Sequence, residues 1–275
     1  MRKHLDGLDH VVILVRDLDR AQDTYARLGF TLTPRGFHTL GSQNHCIMFE
    51  RDYIELLAVP RPHPAMQYFT DFLSKAEGLA AVALATADAA GARAELSGAG
   101  IAADPPLDFS RPVERLGDAR FRIVQLPPDA TPGCRTFLCQ HFTRDLVWRG
   151  EYQRHAVGAL GIAALAVVAE DPVVAATSYA RVFDAPATRI DEGLLVATGS
   201  APIALASRSR LGRRLDGVQL PLRARPFVAA LFIRVADRAR AAAAIRRGGF
   251  NPVALKDGSF AIGADQANGV AVVFG

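Results

Sequence analysis

LDHVVILVRDLDRAQDTYARLGF, residues 8–30, is the stretch from which the fold can be read, because the chain repeats it three times. The copies are LAAVALATADAAGARAELSGAGI (79–101), IAALAVVAEDPVVAATSYARVFD (162–184) and VAALFIRVADRARAAAAIRRGGF (228–250). Each is an apolar, β-rich run, an Asp, a helical stretch, and a Gly or aromatic before the next strand. Asp17, Asp88, Asp171 and Asp237 fall in one register with Phe30, Ile101, Asp184 and Phe250, each pair being 13 apart (30−17, 101−88, 184−171, 250−237). TYAR (24–27) and SYAR (178–181) match in that register. Each Asp is placed to cap the helix that follows, accepting from N–H groups that have no partner inside the helix.

Three short β-like runs follow each helix. They are FTLTP (30–34), HCIMFE (45–50) and YIELLAV (53–59) in the first unit, then IAADPPL, RFRIVQL and RTFLCQHF in the second. ATRI, LLVATG and IALAS serve the third, and NPVAL, SFAIG and VAVVF the fourth. Each unit therefore reads β-α-β-β-β, which predicts an α+β fold. One such sheet has an apolar face and open edges, so four βαβββ modules are expected to pair into two curved eight-stranded cups. The expected organisation is an N-terminal domain over 1–146, a linker over 147–158 and a C-terminal domain over 159–275, the cups being associated through the 143–159 segment. PRPHPAMQYFTDFLSKAEG (60–78) joins the first two modules, with a helix expected in its middle.

Composition excludes several classes. In 275 residues, 50% are hydrophobic and 22% charged, which can bury a core. No run nears the roughly 18 apolar residues of a membrane helix, and no cleavage-site pattern follows the N-terminus, so a cytoplasmic protein is expected. Cys46, Cys134 and Cys139 are too few and too odd for a disulfide framework. The net charge of +4 concentrates in SRSRLGRRLDG (207–217), read as a solvated loop between strands; without aromatic interleaving it gives no reason to expect nucleic acid. No GxSxG, HExxH, CxxC, P-loop or dinucleotide fingerprint stands in a supporting context.

LDHVVILVRDLDRA, followed by GSQNHCIMFERDYIELLAV (41–59) and CQHFTRDLVW (139–148), resembles the glyoxalase-like family of the vicinal-oxygen-chelate superfamily (glyoxalases, bleomycin-resistance proteins, dioxygenases). The family carries a His on the first strand and a Glu on the fourth, here His10 and Glu55. The resemblance implies a divalent metal (Fe, Mn, Zn or Ni) at the mouth of a cup, offering open positions to two vicinal oxygens of a small-molecule substrate. It leaves the reaction open among isomerase, lyase and ring-cleaving dioxygenase chemistry, with a non-catalytic binder of an apolar or aromatic compound as the rival. A homodimer is compatible with it; a membrane or nucleic-acid partner is not implied.

The residues agree with that reading. A carboxylate within YIELLAV is costly to bury unless it is paired or binds a metal, and His10 lies in an equally apolar strand. With the Asp as anchor, the His10 position becomes Ala81, Ala164 and Ala230, none of which can ligate. The Glu55 position maps to Gln140 or His141 in module two and to apolar residues in modules three and four, so the C-terminal half is expected to hold no metal. His141 is the natural third ligand beside His10 and Glu55, a two-His-one-carboxylate set. Glu55 and His45 are the catalytic candidates, His45 also being able to stand in as ligand; His38 and Cys46 are further candidates. Trp148 and His155 are pocket-mouth candidates, with an aromatic anchor between the domains as the alternative, and the preferred one, for Trp148.

Overall fold

The computed structural model describes residues 1–61, 63–113 and 116–275. The N-terminal half runs β1 (Leu8–Leu14), α1 (Leu18–Arg27), β2 (Gly36–Phe37), β3 (Gln43–Met48), β4 (Tyr53–Ala58), α2 (Gln67–Lys75), β5 (Gly78–Ala85), α3 (Ala89–Gly98), β6 (Leu107–Val113), β7 (Gly117–Gln125) and β8 (Arg135–His141). After two single-turn helices it continues through β9 (Ala159–Val168), α4 (Pro172–Phe183), β10 (Ala187–Ile190), β11 (Gly193–Val196), β12 (Ile203–Ala206) and α5 (Arg208–Arg214). The last module comprises β13 (Phe227–Val235), α6 (Arg238–Arg247), β14 (Val253–Ala254), β15 (Phe260–Ile262) and β16 (Ala271–Phe274).

Two eight-stranded sheets result, ordered β2-β3-β4-β1-β5-β8-β7-β6 and β10-β11-β12-β9-β13-β16-β15-β14. In each module the first strand lies parallel to the fourth, and the two modules of a sheet join by antiparallel pairing of their first strands, β1 with β5 and β9 with β13. The four-fold repeat is thus a four-fold structural repeat. Asp17, Asp88, Asp171 and Asp237 each accept a backbone N–H at the start of their helix, as the pattern required. The outer strands β2 and β6 approach each other through the Thr39 N–H to Ser110 carbonyl bond of 3.2 Å, which nearly closes the first sheet into a cup.

Several local expectations are corrected. FTLTP forms no ladder strand: Pro34 has no N–H to give, and the pairing starts at Gly36. IAADPPL is irregular through its two prolines, and the strand begins only at Leu107. The basic 207–217 stretch is not a loop but α5, capped by the Ser207 hydroxyl and seated by buried Leu211 and Leu215, which stand one helical turn apart. The 60–78 connection does carry its helix, α2, with residue 62 outside the described residues.

The two halves are held together by far more than the 143–159 segment. One continuous core includes Tyr25, Phe30 and Phe49 from the first half and Tyr179, Phe183 and Phe274 from the second. Phe30 stacks on Phe274 at 6.1 Å, and the Tyr25 hydroxyl donates to the Ala267 carbonyl. The helix-bearing faces of both sheets bury against each other because neither has enough apolar partners of its own.

Asp52 lies in this seam, buried, accepting from the Ile162 N–H at 3.0 Å. Burial pushes its carboxyl up from 3.8 to about 6, against the opposing pull of that N–H and of Arg234. The folded state therefore holds the proton more tightly than the unfolded chain. The stabilisation this provides is complete below about pH 4 and is lost as pH rises through about 6. Asp52→Asn should consequently gain stability relative to the parent between pH 4 and 7, by up to about 3 kcal/mol. Urea melts of both proteins at the two pH values measure this; a difference that does not change with pH would refute it.

Candidate metal centre

The polar end of the first cup is built from β1, β3, β4 and the turn after β2. His10 and Val12 on β1 face the cup interior, as do Tyr53, Glu55 and Leu57 on β4 and Asn44 and Cys46 on β3. Strict alternation would turn Asp9 away. The register of β1 against β5 shifts between Leu8 and His10, placing one extra residue in β1 at this point. That bulge brings Asp9 and His10 to the same site.

His10 Nδ1 hydrogen-bonds Asp9 Oδ2 at 2.6 Å, so as donor it leaves the Nε2 lone pair facing Glu55 Oε2 at 3.7 Å. His141 Nε2 reaches the same Asp9 oxygen at 3.0 Å. Burial pushes the Asp9 carboxyl up, but the bonds from His10 and His141 outweigh it and hold the group ionised, below the usual carboxylate range. The other Glu55 oxygen, Oε1, accepts from Asn44 Nδ2 at 2.5 Å and lies 3.9 Å from His38 Nε2. Ser42 Oγ holds His38 Nδ1 at 2.8 Å. Burial, reinforced by Arg111 and His10 and opposed by Glu55, pushes His38 down to about 4, so it is neutral at pH 7. Burial, with Glu55 adding to it, pushes the Cys46 thiol up to about 12, which makes it inert. The His10 ring is fixed by stacking on Tyr53 at 4.3 Å and by the edge of Phe137 at 5.6 Å.

These groups close one end of a cavity of about 370 Å³ whose remaining wall is mostly apolar, including Leu40, Met66, Phe69, Phe109, Phe121 and Phe137. This matches the size and character of a small-molecule site.

His10 and Glu55 are brought together; the other predicted residues are distributed differently. His141 does share the inward face of β8 with Phe137 and Cys139, while Gln140 turns outward to the start of α3, accepting from the Ala89 N–H at 3.1 Å. His141 nevertheless points to Asp9 and to a separate cleft it lines with Cys139 and Arg144. Backbone register explains why. His10 pairs with Tyr53, two residues before Glu55; its counterpart Ala81 pairs with Arg135, two residues before Phe137. The true counterpart of Glu55 is therefore Phe137, and His141 lies four residues beyond it. Among the described residues, the group of three His, Cys, Asp or Glu gathered closely enough to hold an ion is Asp9, Cys139 and His141, with ligating atoms within 4.8 Å of one another.

Three further expectations are corrected. His45 lies between the inward-facing Asn44 and Cys46 and so points away; its Nδ1 donates to the Thr33 carbonyl at 2.8 Å, far from any acid–base role in the cavity. His155 belongs to the seam between the halves, accepting from the Thr31 N–H at 3.0 Å, donating to the Met48 carbonyl at 2.9 Å and packing on Phe30 and Phe49. Trp148 stands behind the wall, edge-on to Tyr53 and His141 at 5.3 and 5.1 Å, with Arg144 over its face; Val147 lines the cavity instead.

Comparison with known proteins places the chain in a family. Residues 8–183 match the glyoxalase-like domain family. The chain belongs to that family. Comparison with curated proteins gives no significant match. Among solved structures, this glyoxalase-like chain is similar to a hypothetical protein from Staphylococcus aureus (TM-score 0.69, 14% identity, 98% of each chain covered). It is similar to a triple mutant of 4-hydroxymandelate synthase from Streptomyces coelicolor (TM-score 0.63, 12% identity, 98% of this chain and 92% of that one). A third is the Mn(II)-bound glyoxalase from Novosphingobium aromaticivorans (TM-score 0.61, 11% identity, 98% and 82% covered). At these identities the likeness is one of fold. It accords with the vicinal-oxygen-chelate superfamily, as His10 and the YIEL strand indicated.

The donor set of this candidate site fits a divalent ion in two positions. Two ligands of one ion, each about 2.1 Å from it, stand about 3.0–3.5 Å apart. His10 Nε2 and Glu55 Oε2, at 3.7 Å, are within a few tenths of an ångström of that separation. Asp9 supplies the carboxylate behind the imidazole that commonly accompanies a metal-bound histidine. His38 adjoins the opposite carboxylate oxygen, so it belongs to the polar wall rather than to the same coordination point. No described helix is long and apolar enough to cross a membrane.

Proposed function

We propose that the protein is a divalent-metal-dependent enzyme that acts on a small organic molecule through two neighbouring oxygens. The observation that carries this is the pairing of His10 Nε2 with Glu55 Oε2 across 3.7 Å at the closed end of a mostly apolar cavity. His10 and Glu55 would hold the ion, which when bound supplies Lewis-acid polarisation of a carbonyl or enolate oxygen. Fe, Mn, Zn and Ni all suit nitrogen and carboxylate donors.

The chain's own residues supply the rest. Asp9 fixes the His10 tautomer, and His141 fixes Asp9 in turn. Asn44 holds one Glu55 oxygen and leaves the other for the ion. Neutral His38, unprotonated at Nε2 when Nδ1–H donates to Ser42, can accept a proton from a substrate carbon or hydroxyl close to Glu55. The aromatic wall excludes water and holds the apolar body of the substrate. Proton abstraction beside a polarised carbonyl underlies isomerisation and lysis, and these chemistries rank above oxygen activation because, among the described residues, no third ligand of a facial triad stands beside His10 and Glu55.

The rival reading is a binder that sequesters an apolar compound. One observation favours it: the ligand positions of module two are Ala81 and Phe137, so half of the superfamily's symmetrical set is lost. Equilibrium dialysis against Mn(II) separates the two. An enzyme of the proposed kind binds about one ion per chain and loses it in His10→Ala; a protein that binds no ion above background, yet takes up apolar ligands, is the binder.

A further inference from the structure

Arg111, on β6, lines the same cavity and is 9% exposed. Its placement is tight. A Cβ added to Gly36 on β2 would come within 2.6 Å of Arg111 Cδ and 3.0 Å of Nη1, and would also collide with Asn44 Oδ1. Arg111 therefore stands beside Asn44, the residue that holds Glu55, at the point where β2 and β6 close the cup. Its charge is felt by His38 and Cys46 on the same wall.

Two polar atoms at this point are buried without a hydrogen-bond partner among the described residues: Arg111 Nε, a donor, and Asn44 Oδ1, an acceptor. Among the described residues no carboxylate lies within ion-pair distance of the Arg111 guanidinium. A buried guanidinium with no anion beside it among the described residues has its charge available to a ligand, and its planar fork matches a carboxylate in two parallel bonds. The wall's other cation, Arg135, already donates to Gln125 Oε1 at 2.6 Å and lies over the Tyr68 ring, and its carboxylate besides Glu55, Asp104, is exposed; the remaining wall is mostly apolar.

We infer that Arg111 is the specificity-determining residue of the cavity, and that its substrate is a monocarboxylate with a compact apolar or aromatic body, the carboxylate seated on the Arg111 guanidinium. Asn44 Oδ1 would then accept from a hydroxyl or amide on the same molecule, next to the oxygens that face His10 and Glu55. This deepens the proposed function and rests on reading the cavity as the substrate site. It does not require the ion, since Arg111 is part of the chain itself.

The test compares 3-phenylpropanoate with 3-phenylpropanamide, equal in shape and different in charge, by calorimetric titration of metal-free and Mn(II)-loaded protein. The parent should prefer the acid by at least about tenfold in both forms, the usual worth of a bond to a charged group. Arg111→Met should abolish that preference while leaving amide affinity unchanged, which shows that the cavity is intact; Arg111→Lys should keep part of it. Equal affinity for acid and amide in the parent overturns the inference. So does a preference that survives Arg111→Met, or binding of neither compound. A preference seen only with Mn(II), and untouched by Arg111→Met, would give the carboxylate to the ion: the inference fails and the proposed function stands. A preference lost in Arg111→Met in a protein that binds no ion would have the opposite meaning.

Discussion

Glu55→Gln should reduce bound metal from about one ion per chain to background and lower turnover by more than about a hundredfold, since changes to groups behind a ligand already cost about 10–100-fold. The glutamine is nearly the same size and its carbonyl can still accept from Asn44, so the fold should persist. The metal-free variant should be at least as stable as the metal-free parent. In the parent the Glu55 carboxylate faces His10 Nε2 across 3.7 Å; in the variant the amide can turn its NH2 toward His10 Nε2. Metal content by elemental analysis, with thermal midpoints of both metal-free proteins, measures this. A Glu55→Gln protein that retains its full metal content would remove Glu55 from the ligand set even with the fold correct.

Phe274→Ala should cost about 3–5 kcal/mol, the usual range for deleting a buried aromatic ring. Phe274 is fully buried in the last strand of the second sheet and stacks on Phe30 from the first half and Phe260 from its own. Because the ring belongs to the core shared by both halves, its loss should lower the stability of the whole chain and leave a single unfolding transition. Denaturant curves followed by Trp148 fluorescence, which reports the N-terminal half, and by far-UV circular dichroism, which reports both, should therefore coincide. Two separated transitions, with the Trp148 signal unmoved by the substitution, would show that the halves fold independently and that the seam contributes little.

The repeat made most of the fold legible. Four Asp residues in one register located four helices, and the apolar runs around them located the strands that matter for the site. The errors came where local chemistry overrode pattern. Pro34, Pro105 and Pro106 lie within runs that alternate like strands but cannot donate to a ladder. Arg208–Arg214 looked like a charged loop because its apolar content is only Leu211, yet a Ser cap and one buried turn sufficed to make a helix.

In the site, His10 and Glu55 were readable because apolar strands rarely carry such residues without reason. Asp9 was not, since a bulge is invisible to an alternation argument, although a second titratable side chain beside His10 was a signal that could have prompted the question. His38, Asn44 and Arg111 lie on the strands and turn that surround Glu55, and only the closure of the cup brings β2 and β6 together around them. His141 was placed on the correct face of its strand, but counting from the Asp anchor could not supply the backbone register. That register moved the counterpart of Glu55 to Phe137 and left His141 to hold Asp9.

The most direct measurement is to locate the ion. Crystals grown with Mn(II) and recorded at the manganese absorption edge should show one anomalous peak per chain, about 2.0–2.3 Å from His10 Nε2 and from a Glu55 oxygen, with the remaining positions open to the cavity. No peak should lie on any residue beyond 160, where Ala164 and Ala230 occupy the corresponding positions. A single peak on Asp9, Cys139 and His141 instead, or none at all at saturating Mn(II), would contradict the assignment of His10 and Glu55 as the metal centre.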